Sequence, residues 1–155
     1  MKVLIPMAGE GSRFVKKGYT FPKPLIDVRG KPMIQKVVEN LDFISEYIFL
    51  VRKKHIQEYA GLVDTLERIT NGSYKIVEVD SLTEGAACTA LLAKEHINSD
   101  EDLLIANSDQ FIEYQRQNFI SLKDMTSVDA IVWTFNAVHP KWSFVKTNAK
   151  ENYNG

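Results

Sequence analysis

The chain has a single cysteine, almost no net charge and no long apolar run. Among its 155 residues only Cys88 is a cysteine, which excludes an intrachain disulfide and a cysteine-cluster metal site. A formal net charge of −1 gives no electrostatic reason to expect nucleic acid or an anionic membrane as a partner. No apolar run approaches the ~20 residues of a membrane span, and no signal peptide is recognisable. These features predict a cytoplasmic protein, because unpaired cysteines suit a reducing compartment.

Two familiar nucleotide-binding patterns are also missing. The dinucleotide fingerprint G-x-G-x-x-G would need a glycine at position 14, where the chain has Phe14. A P-loop ends in G-K-S or G-K-T, and neither tripeptide occurs. Any nucleotide site must therefore use another kind of loop.

A glycine-containing turn follows the first apolar run, Val3–Ile5, which reads as a short buried strand. Gly9 and Gly11 lack a Cβ, so the turn can adopt unusual φ values and bring backbone N–H groups close to a ligand. This pattern is typical of a loop that handles phosphate at the end of a strand.

Two cations accompany the turn. Arg13 offers a planar fork of donors that suits phosphate oxygens. Lys23 offers a compact charge, and Pro22 and Pro24 restrict the backbone on both sides of it. Together with the glycines, these residues make nucleotide chemistry the leading hypothesis.

The segments G-E-G-S-R-F and P-K-P-L-I-D-V-R-G-K-P-M-I resemble the signature of the sugar-nucleotide-forming nucleotidyltransferases, the NDP-sugar pyrophosphorylase type. The resemblance weakens after about Asp109. It implies a doubly wound α/β domain that transfers a nucleotidyl group from a nucleoside triphosphate to a phosphorylated small molecule, usually a sugar 1-phosphate. It also implies release of pyrophosphate, a requirement for Mg²⁺, and a tendency to form homo-oligomers.

Strand-like and helix-like segments alternate along the chain. The predicted strands are Val3–Met7, Tyr47–Val51, Lys75–Val79, Leu103–Ala106 and Ala130–Phe135, with a further strand at Trp142–Lys146. The predicted helices are Pro32–Leu41, Lys54–Ile69, Gly85–Glu95 and Tyr114–Met125. This order predicts a mostly parallel, Rossmann-like sheet with helices on both faces, in one nucleotidyltransferase domain over residues 1–155. The polar end of the chain suggests a form of the domain shortened at the C-terminus.

The resemblance assigns roles to particular residues. It implies catalytic roles for Arg13 and Lys23, and nucleotide binding by Ala8, Gly9, Gly11, Ser12, Asp80 and Gly85. Related sequences often have glutamine where this chain has Asp80. An ionised aspartate only accepts hydrogen bonds, so Asp80 favours a pyrimidine with an N3–H or amino group, unless it is simply a surface residue. The small residues from Gly85 to Ala90, which include Cys88, equally suit tight packing, and Cys88 is expected to be buried.

Asp109 directly follows the predicted strand Leu103–Ala106, where a carboxylate can hold Mg²⁺ together with substrate phosphates. The resemblance places a metal-binding aspartate at this position, whereas the plainer interpretation is an Asx-turn or helix-capping residue. No position matches the second metal-binding aspartate that the resemblance implies. Since the carboxyl ends of parallel strands share one edge, Asp109 and the glycine turn are expected there together.

The main hypothesis is a nucleotidyltransferase that makes an activated sugar for a surface polysaccharide. One alternative is a cytidylyltransferase acting on a non-sugar phosphate such as phosphocholine, because Ser143 adds bulk where related sequences often have glycine. Another is a nucleotide-binding module without turnover.

Overall fold

The computed structural model describes residues 1–9, 11, 14, 18, 21–125, 128–140 and 142–146. The chain divides into two compact units, Met1–Ile112 and Glu113–Gly155. In the parts of the chain just given, no helix has the length and apolar character needed to cross a membrane.

The first unit contains a four-stranded parallel sheet in the order β3-β2-β1-β4. The strands are β1 (Lys2–Pro6), β2 (Glu46–Arg52), β3 (Tyr74–Val79) and β4 (Leu103–Ile105). β1 and β2 are almost continuous runs of buried apolar side chains, as expected for strands covered on both faces. The expected parallel α/β fold is confirmed.

The helices occupy the connections between the strands and the start of the second unit. They are α1 (Met33–Leu41), α2 (Lys53–Glu58), α3 (Gly61–Ile69), α4 (Ala86–Leu91), α5 (Lys94–Ile97) and α6 (Arg116–Lys123), with a 3₁₀ turn at Lys23–Leu25.

Side chains alternate between the two faces of the sheet, and each face has its own helical cover. On one face, sheet and helix residues form a single cluster: Leu4, Ala8, Ile48, Leu50 and Val79 with Ala90 and Ala93. On the other face, Val3, Ile5 and Phe49 are fully buried. α1 and α3 contact each other and supply six further buried residues: Ile34, Val37, Val38, Leu41, Leu62 and Leu66.

Two of the predicted helices are each divided in the structure. The segment expected as Lys54–Ile69 breaks at Tyr59, whose φ of −128° and ψ of 81° are not helical, just before the weak helix former Gly61. The segment expected as Gly85–Glu95 changes to 3₁₀-type hydrogen bonding where the N–H groups of Leu92 and Ala93 donate to carbonyls three residues earlier, and this divides the helix. Local backbone preferences thus override a continuous apolar face.

The expectation that Cys88 is buried is wrong, because its side chain is exposed. α4 turns Thr89 and Ala90 towards the core instead. A run of small residues leaves the inward face of a helix poorly specified, since no large side chain distinguishes it.

The strands expected at Ala130–Phe135 and Trp142–Lys146 are absent from the described part of the second unit. A strand needs a neighbour for its backbone hydrogen bonds, and the described residues of this unit contain none. Trp133 instead stacks on Phe119 of α6 and meets Tyr114 edge to face, with ring centroids 4.7 and 5.6 Å away.

We predict that Ile48→Ala lowers the free energy of unfolding by about 2–5 kcal/mol, because it leaves a cavity under the sheet. Ile48 is fully buried, whereas Ile44 lies entirely in solvent. The same substitution at Ile44 is the matched control and should change stability by less than about 0.5 kcal/mol. Urea unfolding followed by circular dichroism measures both, and equal effects would contradict this core.

Candidate functional site

The strand order reverses at β1: β2 and β3 lie on one side of it, and β4, which comes later in the chain, lies on the other. Ligands of open α/β sheets bind beyond the carboxyl ends of the strands at such a reversal. The glycine turn follows β1, and Asp109 follows β4 by four residues. The glycine turn and Asp109 therefore lie at the edge where this fold places ligands.

Lys23 reaches this edge from a rigid turn. Pro22 and Pro24 are buried on either side of it, and the Leu25 N–H donates to the Pro22 carbonyl at 2.8 Å. The Lys23 ammonium forms an ion pair with Asp109 Oδ2. Its Nζ also lies 5.8 Å from the centroid of the Phe14 ring, within cation–π distance.

The glycine turn lies against the lysine. Gly11 has a φ of +61°, and a Cβ added there would come within 3.3 Å of Lys23 Cβ, so a side chain would be both strained and crowded. Gly9 has open space around it. Ala8 packs in the core cluster, which leaves its backbone as the part available to a ligand. Ser12 and Arg13 lie outside the described residues.

A hydrogen-bonded pair that the sequence did not predict anchors the chain beyond Asp109. Asn40, on α1, donates from Nδ2 to the Ile112 carbonyl at 2.9 Å and accepts from the Ile112 N–H at 2.8 Å. The N–H and the carbonyl of Ile112 are thereby both paired with the Asn40 side chain. This pairing holds the segment that carries Asp109 against α1, 72 residues away in sequence.

Gly85 directly precedes α4, which contacts β1 and shares the core cluster with Ala8. Its backbone is extended, and no heavy atom lies within 4 Å of the place a Cβ would take. The hydroxyls of Thr83 and Thr89 lie 3.2 and 3.1 Å from the Gly85 carbonyl oxygen, which also accepts the Thr89 N–H at 3.0 Å. Hydrogen bonds thus hold the Gly85 carbonyl in place, while the space next to its Cα stays open.

Asp80 follows β3 and lies on the same edge, with β2 between its strand and β1. It pairs with Lys53 at 3.9 Å, and its side chain is 86% exposed. An ion pair so exposed adds little stability, which leaves the carboxylate available to a ligand. The structure thus joins Lys23, Gly11 and Asp109 in one contact group, whereas Asp80 has a separate partner.

Asp109 is the candidate cation ligand. The described residues contain no group of three or more His, Cys, Asp or Glu side chains that could enclose a metal ion. Mg²⁺ does not require such a cage, since it is usually bound through one or two carboxylates, substrate phosphates and water. The Asp109 side chain, 39% exposed, is therefore accessible to Mg²⁺.

His55 lies in α2, directly beyond the carboxyl end of β2, and is half-buried. Burial lowers the pKa of its imidazole below the ordinary value, and the neighbouring charge of Arg52 lowers it further. The ring meets Tyr59 edge to face at 6.3 Å, and Tyr59 in turn lies 6.0 Å from Phe21. The His55 ring therefore belongs to an aromatic group beside the lysine turn.

We predict that Asn40→Ala lowers the free energy of unfolding by about 1–3 kcal/mol, because it leaves the Ile112 N–H and carbonyl unpaired. Gln35→Ala on the same helix is the control, since Gln35 bonds only to exposed side chains. The control should change stability by less than about 0.5 kcal/mol. Similar losses in urea unfolding of the two variants would contradict an anchoring role for Asn40.

We also predict that His55 titrates at a lower pH in the folded chain than in the urea-unfolded chain. The unfolded state then binds more protons as the pH falls below about 6.5, so folding stability decreases there. NMR titration of the imidazole signals gives both midpoints. His55→Gln should reduce the loss of stability between pH 7 and 5, and coincident midpoints would contradict the burial of this ring.

Comparison with known proteins identifies the family of the chain. The profile of the family described as nucleotidyl transferase matches residues 2–143. The bifunctional protein GlmU of Methanocaldococcus jannaschii is 26% identical over 84% of this chain and 30% of its own length. The bifunctional IPC transferase and DIPP synthase of Archaeoglobus fulgidus is 32% identical over 73% of this chain and 22% of its own length. The chain thus spans less than a third of these curated relatives.

Solved structures share the fold. A nucleoside-diphosphate-sugar pyrophosphorylase from Vibrio cholerae has a TM-score of 0.57 and 27% identity over 76% of this chain and 52% of its own. A putative glucose-1-phosphate thymidylyltransferase from Bacillus anthracis has a TM-score of 0.64 and 19% identity, over 78% and 49% of the two chains. With the family profile matching residues 2–143 of its 155, the chain belongs to the nucleotidyl transferase family.

Proposed function

We propose that this chain forms the nucleotide-binding part of an enzyme that transfers a nucleoside monophosphate from a nucleoside triphosphate to a sugar 1-phosphate or a related phosphorylated molecule. Membership of the nucleotidyl transferase family supports the reaction class. The relative from Vibrio cholerae, described as a nucleoside-diphosphate-sugar pyrophosphorylase, supports the sugar-phosphate acceptor.

The observation that carries the proposal is the contact between Lys23 and Asp109 at the carboxyl edge of β1 and β4. A phosphate-transfer site needs a cation for the substrate charge and a carboxylate for a metal ion, both at the place where phosphates lie. Gly11 contributes backbone without a side chain at the same point. These three residues come from three separate segments of the sequence, which an accidental surface cluster would not require.

The chemistry follows from charge. A phosphate oxygen of the acceptor attacks the α-phosphorus, a new P–O bond forms, and the bond between the α-phosphorus and the bridging oxygen breaks to release pyrophosphate. An ionised phosphate needs no general base at neutral pH. Catalysis is then mostly positioning and neutralisation of charge.

Each site residue has a defined task in this proposal. Arg13 binds the departing β- and γ-phosphates, Lys23 neutralises the α-phosphate or the acceptor phosphate, and Asp109 holds Mg²⁺. When bound, Mg²⁺ supplies positive charge to the phosphate oxygens. Gly9, Ser12 and the backbone of Ala8 surround the nucleotide.

We propose a pyrimidine base, read by Asp80 beyond β3 while the nucleoside lies on Gly85. A carboxylate accepts hydrogen bonds from the N3–H of uracil or thymine, or from the amino group of cytosine. The high exposure of Asp80 supports this role, since its ion pair with Lys53 is easily exchanged.

The wider setting is also part of the proposal. We place the enzyme in the cytoplasm as a homo-oligomer that supplies activated sugar for a surface polysaccharide. The single cysteine supports the compartment, and the sugar-nucleotide relatives support the pathway class.

Thermal unfolding with Mg²⁺ and each of CTP, UTP, dTTP, GTP and ATP tests nucleotide binding. A triphosphate at about 100 times its Kd should add about 2.7 kcal/mol of stability, and we expect this for one pyrimidine triphosphate. Arg13→Ala should abolish the shift because it removes the β,γ-phosphate contact. Arg68→Ala, which removes an arginine that bonds to Gln35 on the surface, is the control and should keep it.

Pyrophosphate release with a panel of sugar 1-phosphates then tests turnover. Lys23→Ala should lower the rate about 10²–10³-fold, by analogy with the loss of an oxyanion-hole donor. Binding without release from any acceptor would support the alternative of a nucleotide-binding module. No shift with any triphosphate, from a chain that unfolds cooperatively, would overturn the proposed function.

A further inference from the structure

The contact between Lys23 and Asp109 conflicts with the tasks that the proposed function gives to these residues. Lys23 Nζ lies against Asp109 Oδ2, and their side chains are only 24% and 39% exposed. A Mg²⁺ ion on a carboxylate oxygen sits about 2.0–2.1 Å from it. The ammonium and the ion cannot both occupy that position on Oδ2, and an ion on the other carboxylate oxygen would still be repelled by the ammonium a few ångströms away.

We propose that Asp109 exchanges Lys23 for a divalent cation, and that this exchange releases the lysine to bind phosphate. This inference rests on the proposed function and adds an order in which the charged groups at its site change partners. Lys23 holds the carboxylate in the nucleotide-free chain, so the site keeps its charges balanced until metal and triphosphate arrive.

The surrounding structure restricts the exchange to side chains. The backbone of Lys23 is fixed in a 3₁₀ turn between two buried prolines. The chain that carries Asp109 is anchored three residues later, where Ile112 forms two hydrogen bonds with Asn40. Neither backbone needs to move for the ion pair to open.

The released lysine has limited directions in which to turn. Gly11 lies on one side of it, where a Cβ added to the glycine would come within 3.3 Å of Lys23 Cβ. The Phe14 ring, with its centroid 5.8 Å from Nζ, provides an aromatic surface for the ammonium. The freed charge therefore stays at the glycine turn, where the proposed function needs it.

The exchange makes metal and phosphate binding cooperative. Whichever ligand arrives first must break the ion pair, and the second finds its partner already released. Such coupling is reciprocal, so metal tightens triphosphate binding by the same factor as triphosphate tightens metal binding.

Binding of Mn²⁺ to the nucleotide-free chain, followed by electron paramagnetic resonance, tests the inference without any turnover. Removing the competing ammonium in Lys23→Met should tighten Mn²⁺ binding roughly twofold to fivefold, the upper part of the range measured for ion pairs near the surface. Lys31→Met is the matched control, because Lys31 pairs with Glu39 in another exposed contact, and it should leave the Mn²⁺ affinity unchanged. Asp109→Asn should abolish the specific binding.

A second measurement needs no variant at position 23. Brief acetylation followed by mass spectrometry reports how accessible each lysine ammonium is. Mg²⁺ should increase the labelling of Lys23 relative to Lys31 in the wild-type chain. In Asp109→Asn the labelling of Lys23 should be high at the outset and independent of Mg²⁺.

Unchanged or weaker Mn²⁺ binding in Lys23→Met, together with labelling of Lys23 that ignores Mg²⁺, would overturn the exchange. So would a wild-type chain that binds no Mn²⁺ without nucleotide. Either result would leave the proposed function standing if a triphosphate still stabilises the chain and Arg13→Ala removes that effect. Loss of the triphosphate shift itself would instead remove the function on which the inference rests.

Discussion

The parallel pairing of β1 with both β2 and β4 is the constraint on which the rest of the structure depends. β1 is central and buried, so the segment that follows it must pass over the carboxyl edge of the sheet. The same pairing aligns Lys2–Leu4 with Leu103–Ile105, which fixes how far beyond the sheet each following loop begins. Because this register is set by backbone hydrogen bonds, the position of the site does not depend on its own side chains.

Much of the fold of the first unit could be predicted from the sequence, since buried parallel strands are short apolar runs with few alternatives. All four observed strands were expected within one or two residues of their ends. The helix breaks at Tyr59 and Leu92 were not, because apolar periodicity continues through both and only backbone geometry stops the helix. In the second unit the apolar run at Ala130–Phe135 was misleading, since such a run forms a strand only when a neighbour exists to pair with it.

For the site, the sequence could predict a shared edge but not the contacts across it. The turn with Gly11 and the carboxylate of Asp109 each follow a recognisable strand, so their meeting was expected from topology. Asn40 carried no signal, because a single amide in an amphipathic helix looks like any polar surface residue. Its function is to pair with the backbone of Ile112, and backbone partners leave no trace in side-chain patterns.

The threonine hydroxyls that contact the Gly85 carbonyl affect which hydrogen bonds a ligand could form at this residue. The Gly85 carbonyl oxygen has the Thr89 N–H and the hydroxyls of Thr83 and Thr89 within hydrogen-bond distance, so its lone pairs are already engaged. A ring placed on Gly85 would therefore contact its Cα and peptide plane and would find no free carbonyl acceptor there. If a nucleoside lies on Gly85 as proposed, groups other than this carbonyl would therefore have to distinguish one base from another.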